Sequence, residues 1–195
     1  MGANLRPVPF PTSCSRYFAE RQMRLEAMAV KIPAVEGHPN RVAFEGTLTM
    51  VDTASDKAPA GARGHRVILT REAAEKALPS LLGMAVDYRP GWDGHDARRK
   101  IGLLTEANLV GRNLTVRGYL YARDFPDVAE AIQGHVPDKM GMSYEIADGR
   151  VEDMRADIWK LTRVTFTGAA ILLREKAAYR GTSFRMASST TAHSS

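Results

Sequence analysis

The stretch KIGLLTEANLVGRNLTVRGYLYA, residues 100–122, decides the fold class of this chain. Apolar and polar residues alternate over 101–109 and again over 114–121, and the segment Gly111-Arg112-Asn113 separates the two runs. Alternation with a period of two is typical of strands with one buried face, and a short turn between two such runs indicates a β-hairpin. The stretch therefore predicts two antiparallel strands joined by a tight turn.

Further strands and two short helices are predicted on both sides of this hairpin. Strand patterns cover residues 41–52, 66–69, 141–146 and 157–172. The segment 70–83 indicates a helix with Thr70 as its N-cap and Gly83 as its stop, and 124–134 indicates a second helix with Pro126 near its start. Many strands with two interspersed helices predict a mainly β fold with short α-helices. We expect a closed or nearly closed antiparallel β-barrel with helices packed outside.

Both ends of the chain differ in composition from the part between them. Residues 1–40 contain prolines at positions 7, 9, 11, 33 and 39, which predicts a flexible N-terminal arm. Residues 181–195 are rich in Ser and Thr, so that segment is predicted to be a disordered tail. The folded domain is expected over residues 41–180.

Composition excludes several classes of function. The 195 residues carry 27 Lys and Arg against 22 Asp and Glu, a net charge of +5 without a basic stripe interleaved with aromatics, so no specific nucleic-acid partner is expected. No apolar run approaches the ~20 residues that span a bilayer, and no signal peptide is visible. Cys14 is the single cysteine, which rules out an internal disulfide and fits a reducing compartment. Neither metal-ligand spacing nor a phosphate-binding fingerprint occurs, so no metal and no cofactor is expected.

Two segments carry candidate chemistry. His95 lies in GWDGHDARRKIG, residues 91–102, where flanking glycines leave its imidazole accessible as a general base. Ser143 lies in KMGMSYEI, residues 139–146, where Gly141 permits the close backbone approach that an oxyanion pocket needs. Taken singly, each residue also fits an ordinary surface position. The absence of a G-x-S-x-G elbow excludes an α/β-hydrolase.

The order of these segments resembles a known family. DGHDARRKIG, the hairpin LTVRGYL, a short helix, GMSYEI and then LTRVTFTGAAIL are similar, over roughly residues 42–172, to the prohead (capsid maturation) proteases of tailed bacteriophages. Those proteases are related in fold to herpesvirus assemblin. The resemblance implies a serine endopeptidase in which His95 and Ser143 form the catalytic pair.

The third catalytic residue is left open by the sequence. The late strand of that family often carries an acidic residue, an aliphatic residue and then Ser, and the matching residues here are Arg163-Val164-Thr165, without the acid. Thr165 is the matching candidate. The alternatives are carboxylates elsewhere in the domain, namely Asp157, Glu152, Asp96 and Glu145. His135, eight residues before Ser143, is the strongest rival base.

The resemblance also implies partners and a place of action. The expected substrates are the major capsid protein, the scaffold protein and the chain itself by self-cleavage, and the chain is expected to form a homo-oligomer. The expected location is the host cytoplasm, inside the assembling prohead, without a membrane partner. The missing acid motivates one alternative from a different class, a catalytically inactive structural or scaffolding protein of the capsid with the same fold.

Overall fold

The computed structural model describes residues 38–135 and 137–187, which contain eight β-strands and two α-helices. In chain order these are β1 (Arg41–Met50), β2 (Arg66–Leu69), α1 (Arg71–Ala77), β3 (Ala85–Asp87), β4 (Lys100–Val110), β5 (Asn113–Tyr121), α2 (Pro126–Gly134), β6 (Met140–Val151), β7 (Ile158–Leu173) and β8 (Ser183–Met186). Short 3-10 turns, Leu78–Leu81 and Pro137–Lys139, follow the two helices. The predicted arm up to residue 37, with Cys14, and the predicted tail from residue 188 lie outside the described residues.

The predicted β-hairpin is present as β4 and β5. Val110 and Asn113 lie opposite each other, so the turn has two residues, Gly111 and Arg112, and Asn113 already belongs to β5. Gly111 has a φ of 59°, as the first central residue of a type II′ hairpin turn requires. The inward side chains of the hairpin are buried, among them Leu104, Leu114, Val116 and Leu120. The period-two alternation therefore predicted the buried face correctly.

All eight strands belong to one sheet. Its order is β2-β7-β3-β4-β5-β1-β8, and β6 pairs with β7 along the opposite edge of β7 from β2 and β3. β7 is the longest strand, with 16 residues. β2 pairs with its first residues and β3 with Ala169 and Ala170 near its end. The predicted mainly β class is confirmed.

The sheet is a curled half-barrel that is open, so the prediction of a closed or nearly closed barrel is wrong. β2 and β3 also run parallel to β7, which an all-antiparallel barrel does not allow. The opening lies between β8 and β6, because β8 is paired with β1 and β6 with β7, and no ladder joins β8 to β6 within the described residues. The buried Met142 of β6 contacts β1 through its side chain, since a Cβ on Gly46 would lie 2.8 Å from the Met142 Sδ.

Both helices bury residues in the same hydrophobic core as the strands. α1 begins where the Thr70 hydroxyl accepts a hydrogen bond from the Ala73 N–H at 3.3 Å, as predicted for an N-cap. It buries three alanines of this core, Ala73, Ala74 and Ala77, and α2 buries Val128 and Ile132. No helix among the described residues is long and apolar enough to cross a bilayer.

β8 corrects the predicted boundary of the folded domain. Residues 181–195 were expected to form a disordered tail, yet Ser183–Met186 pair antiparallel with residues 44–47 of β1. Phe184 is buried and its ring lies 5.0 Å from that of Phe44. The backbone pairing and the buried aromatic ring together hold this short strand against the sheet, so the folded part continues to at least Met186.

Candidate functional site

The register of the central strands places four side chains in one row. Ala170 on β7 lies opposite Ser143 of β6 on one side and opposite Asp87 of β3 on the other, and Asp87 lies opposite Lys100 of β4. Residues directly opposite each other share a face of the sheet. With strands ~4.8 Å apart, the Cα atoms of Ser143 and Asp87 are about 10 Å apart, with only the small Ala170 between them.

The next row of the same strands shows on which face of the sheet Ser143 and Asp87 lie. Tyr144, Ala169, Val86 and Gly102 lie opposite one another in the same four strands. Val86 and Ala169 are fully buried in the hydrophobic core. The row of Ser143 and Asp87 therefore lies on the face away from that core, where the segment between β3 and β4 covers it.

His95 lies in this covering segment, residues 88–99, and its ring reaches Asp87. The His95 Nδ1 lies 3.4 Å from the Asp87 Oδ1. The imidazole is 15% exposed, and neither ring nitrogen makes a hydrogen bond within the described residues. The Nε2 is thus the ring atom that remains to exchange a proton with a neighbouring group.

Asp87 is the charged centre of the site. Its side chain is fully buried, its Oδ2 accepts a hydrogen bond from the Lys100 Nζ at 2.7 Å, and its Oδ1 accepts one from the Asp96 N–H at 3.3 Å. Burial alone raises the pKa of this carboxyl, but His95 and Lys100 together outweigh burial, so the pKa is lowered from its ordinary value. Asp87 is therefore a carboxylate at neutral pH and an electrostatic partner for a protonated imidazole.

Sequence reasoning did not single out Asp87. The available signal was a lone carboxylate that ends the apolar run 84–86, eight residues before the candidate histidine. Its position in the row of Ser143 depends on the parallel pairing of β3 with β7, which joins residues more than eighty positions apart. Such a pairing leaves no local pattern in the sequence.

The covering segment is fixed at several points. The Trp92 carbonyl accepts a hydrogen bond from the Leu173 N–H at 2.8 Å, and the Arg89 Nε donates to the His95 carbonyl at 3.1 Å. The Trp92 ring lies 5.1 Å from the Tyr88 ring and 6.1 Å, edge-on, from the His135 ring. Trp92 also has a φ of 57°. This left-handed conformation is uncommon outside glycine and persists only where the surrounding contacts hold it.

Gly141 has a packing role that its proximity to Ser143 did not predict. A Cβ at this position would lie 2.7 Å from the Thr182 Oγ1 and 3.1 Å from the Arg174 Cα. The segments after β7 and before β8 therefore press directly on the backbone of β6. Ser143, two residues on, is half-buried.

Thr165 is not brought to this cluster. It lies opposite Ala147, four residues along β6 from Ser143, which corresponds to about 13 Å at ~3.3 Å per residue. An irregularity in the β6–β7 pairing between Glu145 and Ile146 keeps Thr165 on the same face as Ser143, but at that distance it does not reach His95.

The other carboxylates considered from the sequence have different neighbours. Glu152 pairs with Lys160 at 3.3 Å, near the far end of β7, and Asp157 precedes the first residue of that strand. Asp96 is next to His95, but its carboxylate accepts hydrogen bonds from Arg98 and Arg99. Glu145 lies two residues along β6 from Ser143, is exposed, and its Oε2 would be 2.6 Å from a Cβ on Gly168. None of the four meets the His95 ring as Asp87 does.

His135 and His65 lie in surroundings different from those of His95. His135 lies at the C-terminal end of α2 and contacts the covering segment through the edge-on Trp92. His65 stacks on Trp159 at 4.4 Å, and its Nδ1 lies 3.2 Å from the Asp157 carbonyl oxygen. Neither is paired with a buried carboxylate in the described residues.

An open depression of about 460 Å³ lies beside the covering segment. Its lining consists of Tyr88, Asp96, Arg98, Arg99 and Phe125. Tyr88 and Asp96 are the chain neighbours of Asp87 and His95, so the depression adjoins the site. Among the residues that the structure describes, no cluster of three or more His, Cys, Asp or Glu side chains is arranged to hold a metal ion.

No protein-family model and no curated protein matches the sequence. Among solved structures, the bacteriophage T4 capsid assembly protease gp21 is similar to this chain with a TM-score of 0.48 and 12% sequence identity. The alignment covers 72% of this chain and 87% of that protein. At this level of similarity, function does not transfer from that protein to this chain.

Proposed function

We propose that this chain is a serine endopeptidase in which Ser143 is the nucleophile, His95 the general base and Asp87 the residue that orients the base. One observation carries the proposal above the others. A fully buried carboxylate contacts the imidazole of His95 and lies in the same row of the sheet as Ser143. An imidazole held by an anionic partner activates a serine whose hydroxyl it can reach.

The reaction follows from these roles. The Ser143 Oγ forms a bond to the scissile carbonyl carbon while its proton passes to the His95 Nε2. The Asp87 carboxylate stabilises the imidazolium that results. That proton then moves to the leaving amine as the C–N bond breaks, and water repeats the sequence on the acyl-enzyme, which releases the acid and regenerates Ser143.

We propose that the substrates are proteins of a phage prohead. The order of segments around His95, Ser143 and LTRVTFTGAAIL supports this choice, since it resembles the capsid maturation proteases. The major capsid protein, the scaffold protein and this chain itself are the proposed substrates. Cleavage would take place inside the assembling prohead in the host cytoplasm, where the enzyme and its substrates are confined at high concentration and a homo-oligomer forms readily.

Ser143→Ala tests the nucleophile. Incubated with the capsid and scaffold proteins of the same phage, this variant is expected to leave them uncleaved, while the unchanged chain shortens them on a denaturing gel. Undiminished processing by Ser143→Ala would remove the assignment.

The orienting residue is tested by comparing carboxylates of the same segment. Asp87→Asn is expected to reduce kcat by ~10²–10⁴-fold, because the imidazole loses the anion that holds it. Asp93→Asn is the matched control. The Asp93 side chain is half-exposed, and its carboxylate is paired with the Arg89 guanidinium at 3.9 Å. If Thr165→Val lowered kcat as much as Asp87→Asn does, the orienting role would belong to Thr165.

A second candidate function is a capsid structural or scaffolding protein without activity. The 3.4 Å contact between His95 and Asp87 favours it, because it exceeds the distance of a good hydrogen bond. In enzymes without substrate, catalytic hydrogen bonds are often long and shorten only in the complex, so the contact is also compatible with an active site. Reaction of Ser143 with a serine-directed probe separates the two functions.

A further inference from the structure

Lys100 contacts the site through a local irregularity of the sheet. In the β3–β4 pairing Val86 lies opposite Gly102 while Asp87 lies opposite Lys100, so Ile101 is the extra residue of a bulge. Bulges redirect side chains and are common beside functional sites. Here the bulge leaves Ile101 in the core, 1% exposed, and presents Lys100 to Asp87.

The two oxygens of Asp87 have different partners. Oδ1 faces His95 and the Asp96 N–H, whereas Oδ2 accepts the hydrogen bond from the Lys100 Nζ at 2.7 Å. The carboxylate is fully buried, while the Lys100 side chain is 38% exposed. Lys100 therefore anchors the carboxylate from the side opposite the imidazole.

The other charges around His95 and Asp87 are already paired with one another. Arg98 and Arg99 contact the Asp96 carboxylate. Arg89 contacts the Asp93 carboxylate and the His95 carbonyl. On β6, Glu145 is exposed and lies two residues from Ser143, opposite Gly168. Within the described residues, Lys100 is thus the permanent cation that directly compensates Asp87.

We propose that Lys100 is a positioning residue that fixes the Asp87 carboxylate and sets the pH range in which His95 can act as a base; this inference rests on the proposed function. An anion beside an imidazole favours the protonated ring, and a cation on the anion's other oxygen opposes that effect. Removal of the Lys100 charge is therefore expected to favour the protonated form of the imidazole.

Two variants separate the charge from the hydrogen bond. Lys100→Gln keeps a donor for Asp87 and removes the charge, and Lys100→Arg keeps the charge. Lys160→Met is the matched control. Lys160 is also a strand lysine whose Nζ pairs with a carboxylate, that of Glu152 at 3.3 Å, and it lies far from the site.

The measurements are the pH profile of kcat/KM and the NMR titration of the His95 ring, assigned with a His95→Gln variant. For Lys100→Gln, both midpoints are expected to move up by about 0.5–1 pH unit, with the high-pH plateau within roughly threefold of the unchanged chain. Lys100→Arg and Lys160→Met are expected to keep the original midpoint. An unchanged or lower midpoint in Lys100→Gln would overturn the proposal, including the case in which kcat/KM falls equally at all pH.

The NMR titration does not depend on peptidase activity. If the chain cleaves nothing but the His95 midpoint moves as expected, the proposed function fails and the charge coupling stands. If cleavage depends on Ser143 but the midpoint does not move, the proposed function stands and the role of Lys100 is wrong. Should Lys100→Gln fail to fold, Lys100→Met removes the same charge, and an unchanged or lower His95 midpoint in that variant overturns the proposal.

Discussion

Gly141 stands two residues before Ser143, and the space around it allows no side chain. The nearest atom to a Cβ there is the Thr182 Oγ1 at 2.7 Å, whose hydroxyl donates to the Tyr179 carbonyl. The next is the Arg174 Cα at 3.1 Å, a backbone atom that no side-chain rotation displaces. Gly141→Ala is expected to lower the free energy of unfolding by about 1–3 kcal/mol, as overpacking does. Urea denaturation monitored by circular dichroism measures it.

Gly134 provides the matched control at the residue scale. It ends α2, and a Cβ there has no neighbour within 4 Å. Gly134→Ala is expected to leave stability unchanged or raise it by up to ~1 kcal/mol, because alanine favours helix over glycine. Equal stability losses in both variants would contradict the packing role of Gly141.

At the scale of elements, the segment 88–99 determines where the His95 ring lies. Trp92 holds this segment to β7 through its carbonyl and to Tyr88 and His135 through its ring. Trp92→Ala keeps the backbone hydrogen bond but removes the ring contacts. We expect kcat/KM to fall by ~10–100-fold, since displacing a catalytic group by about 1 Å costs that much.

Amide hydrogen exchange tests the same contact without an activity assay. Residues 93–97 are expected to exchange faster in Trp92→Ala than in the unchanged chain, while β4 and β5 keep their protection. Trp92→Phe, which retains an aromatic ring, is expected to lie close to the unchanged chain in both measurements. Unaltered exchange over 93–97 in Trp92→Ala would show that the ring does not hold the segment.

The same elements show what the sequence could and could not predict. The β4–β5 hairpin was predictable because its pattern and its turn lie within one continuous stretch. His95 and Ser143 could be proposed as site residues because each lies in a recognisable segment. Asp87 was not found, because its place beside Ala170 depends on the parallel β3–β7 pairing, and the bulge at Ile101 that presents Lys100 is equally invisible in one dimension.

At the scale of the whole molecule, two tyrosines link stability to alkaline pH. Burial raises the pKa of Tyr144 to about 12, and burial also raises the pKa of Tyr179, whose hydroxyl donates to the Val67 carbonyl at 3.0 Å. In the unfolded chain both ionise near ~10. Stability is therefore fully present below pH ~10 and is lost as pH rises toward the folded-state values, because only the unfolded chain releases the protons.

Denaturant unfolding at a series of pH values from 8 to 11.5 measures this loss. Each raised tyrosine contributes a slope of up to about 1.4 kcal/mol per pH unit above pH ~10. Tyr144→Phe is expected to make the loss of stability with pH shallower by up to about 1.4 kcal/mol per pH unit, because one proton fewer is released on unfolding. A slope identical to that of the unchanged chain would mean that Tyr144 ionises equally in the folded and unfolded states.

The overall architecture also limits what composition and periodicity can predict. Six of the eight strands were predicted, whereas β3 and β8 were not. β3 has only three residues, and β8 was assigned to a disordered tail because its surroundings are polar. β8 is held on β1 by its backbone pairing and by the buried Phe184. Local patterns thus predicted most of the elements, and long-range pairing decided how they are arranged in the sheet.

The central claim is that Ser143 is a nucleophile activated by His95 and Asp87, and a fluorophosphonate probe tests it most directly. Intact-mass spectrometry is expected to show one adduct per chain, and peptide mapping to place it on Ser143. His95→Ala and Asp87→Asn are expected to slow the labelling by at least ~10²-fold, because the hydroxyl loses its base or the partner of that base. Absence of labelling, or an adduct on another serine at an equal rate in all three chains, would contradict the account.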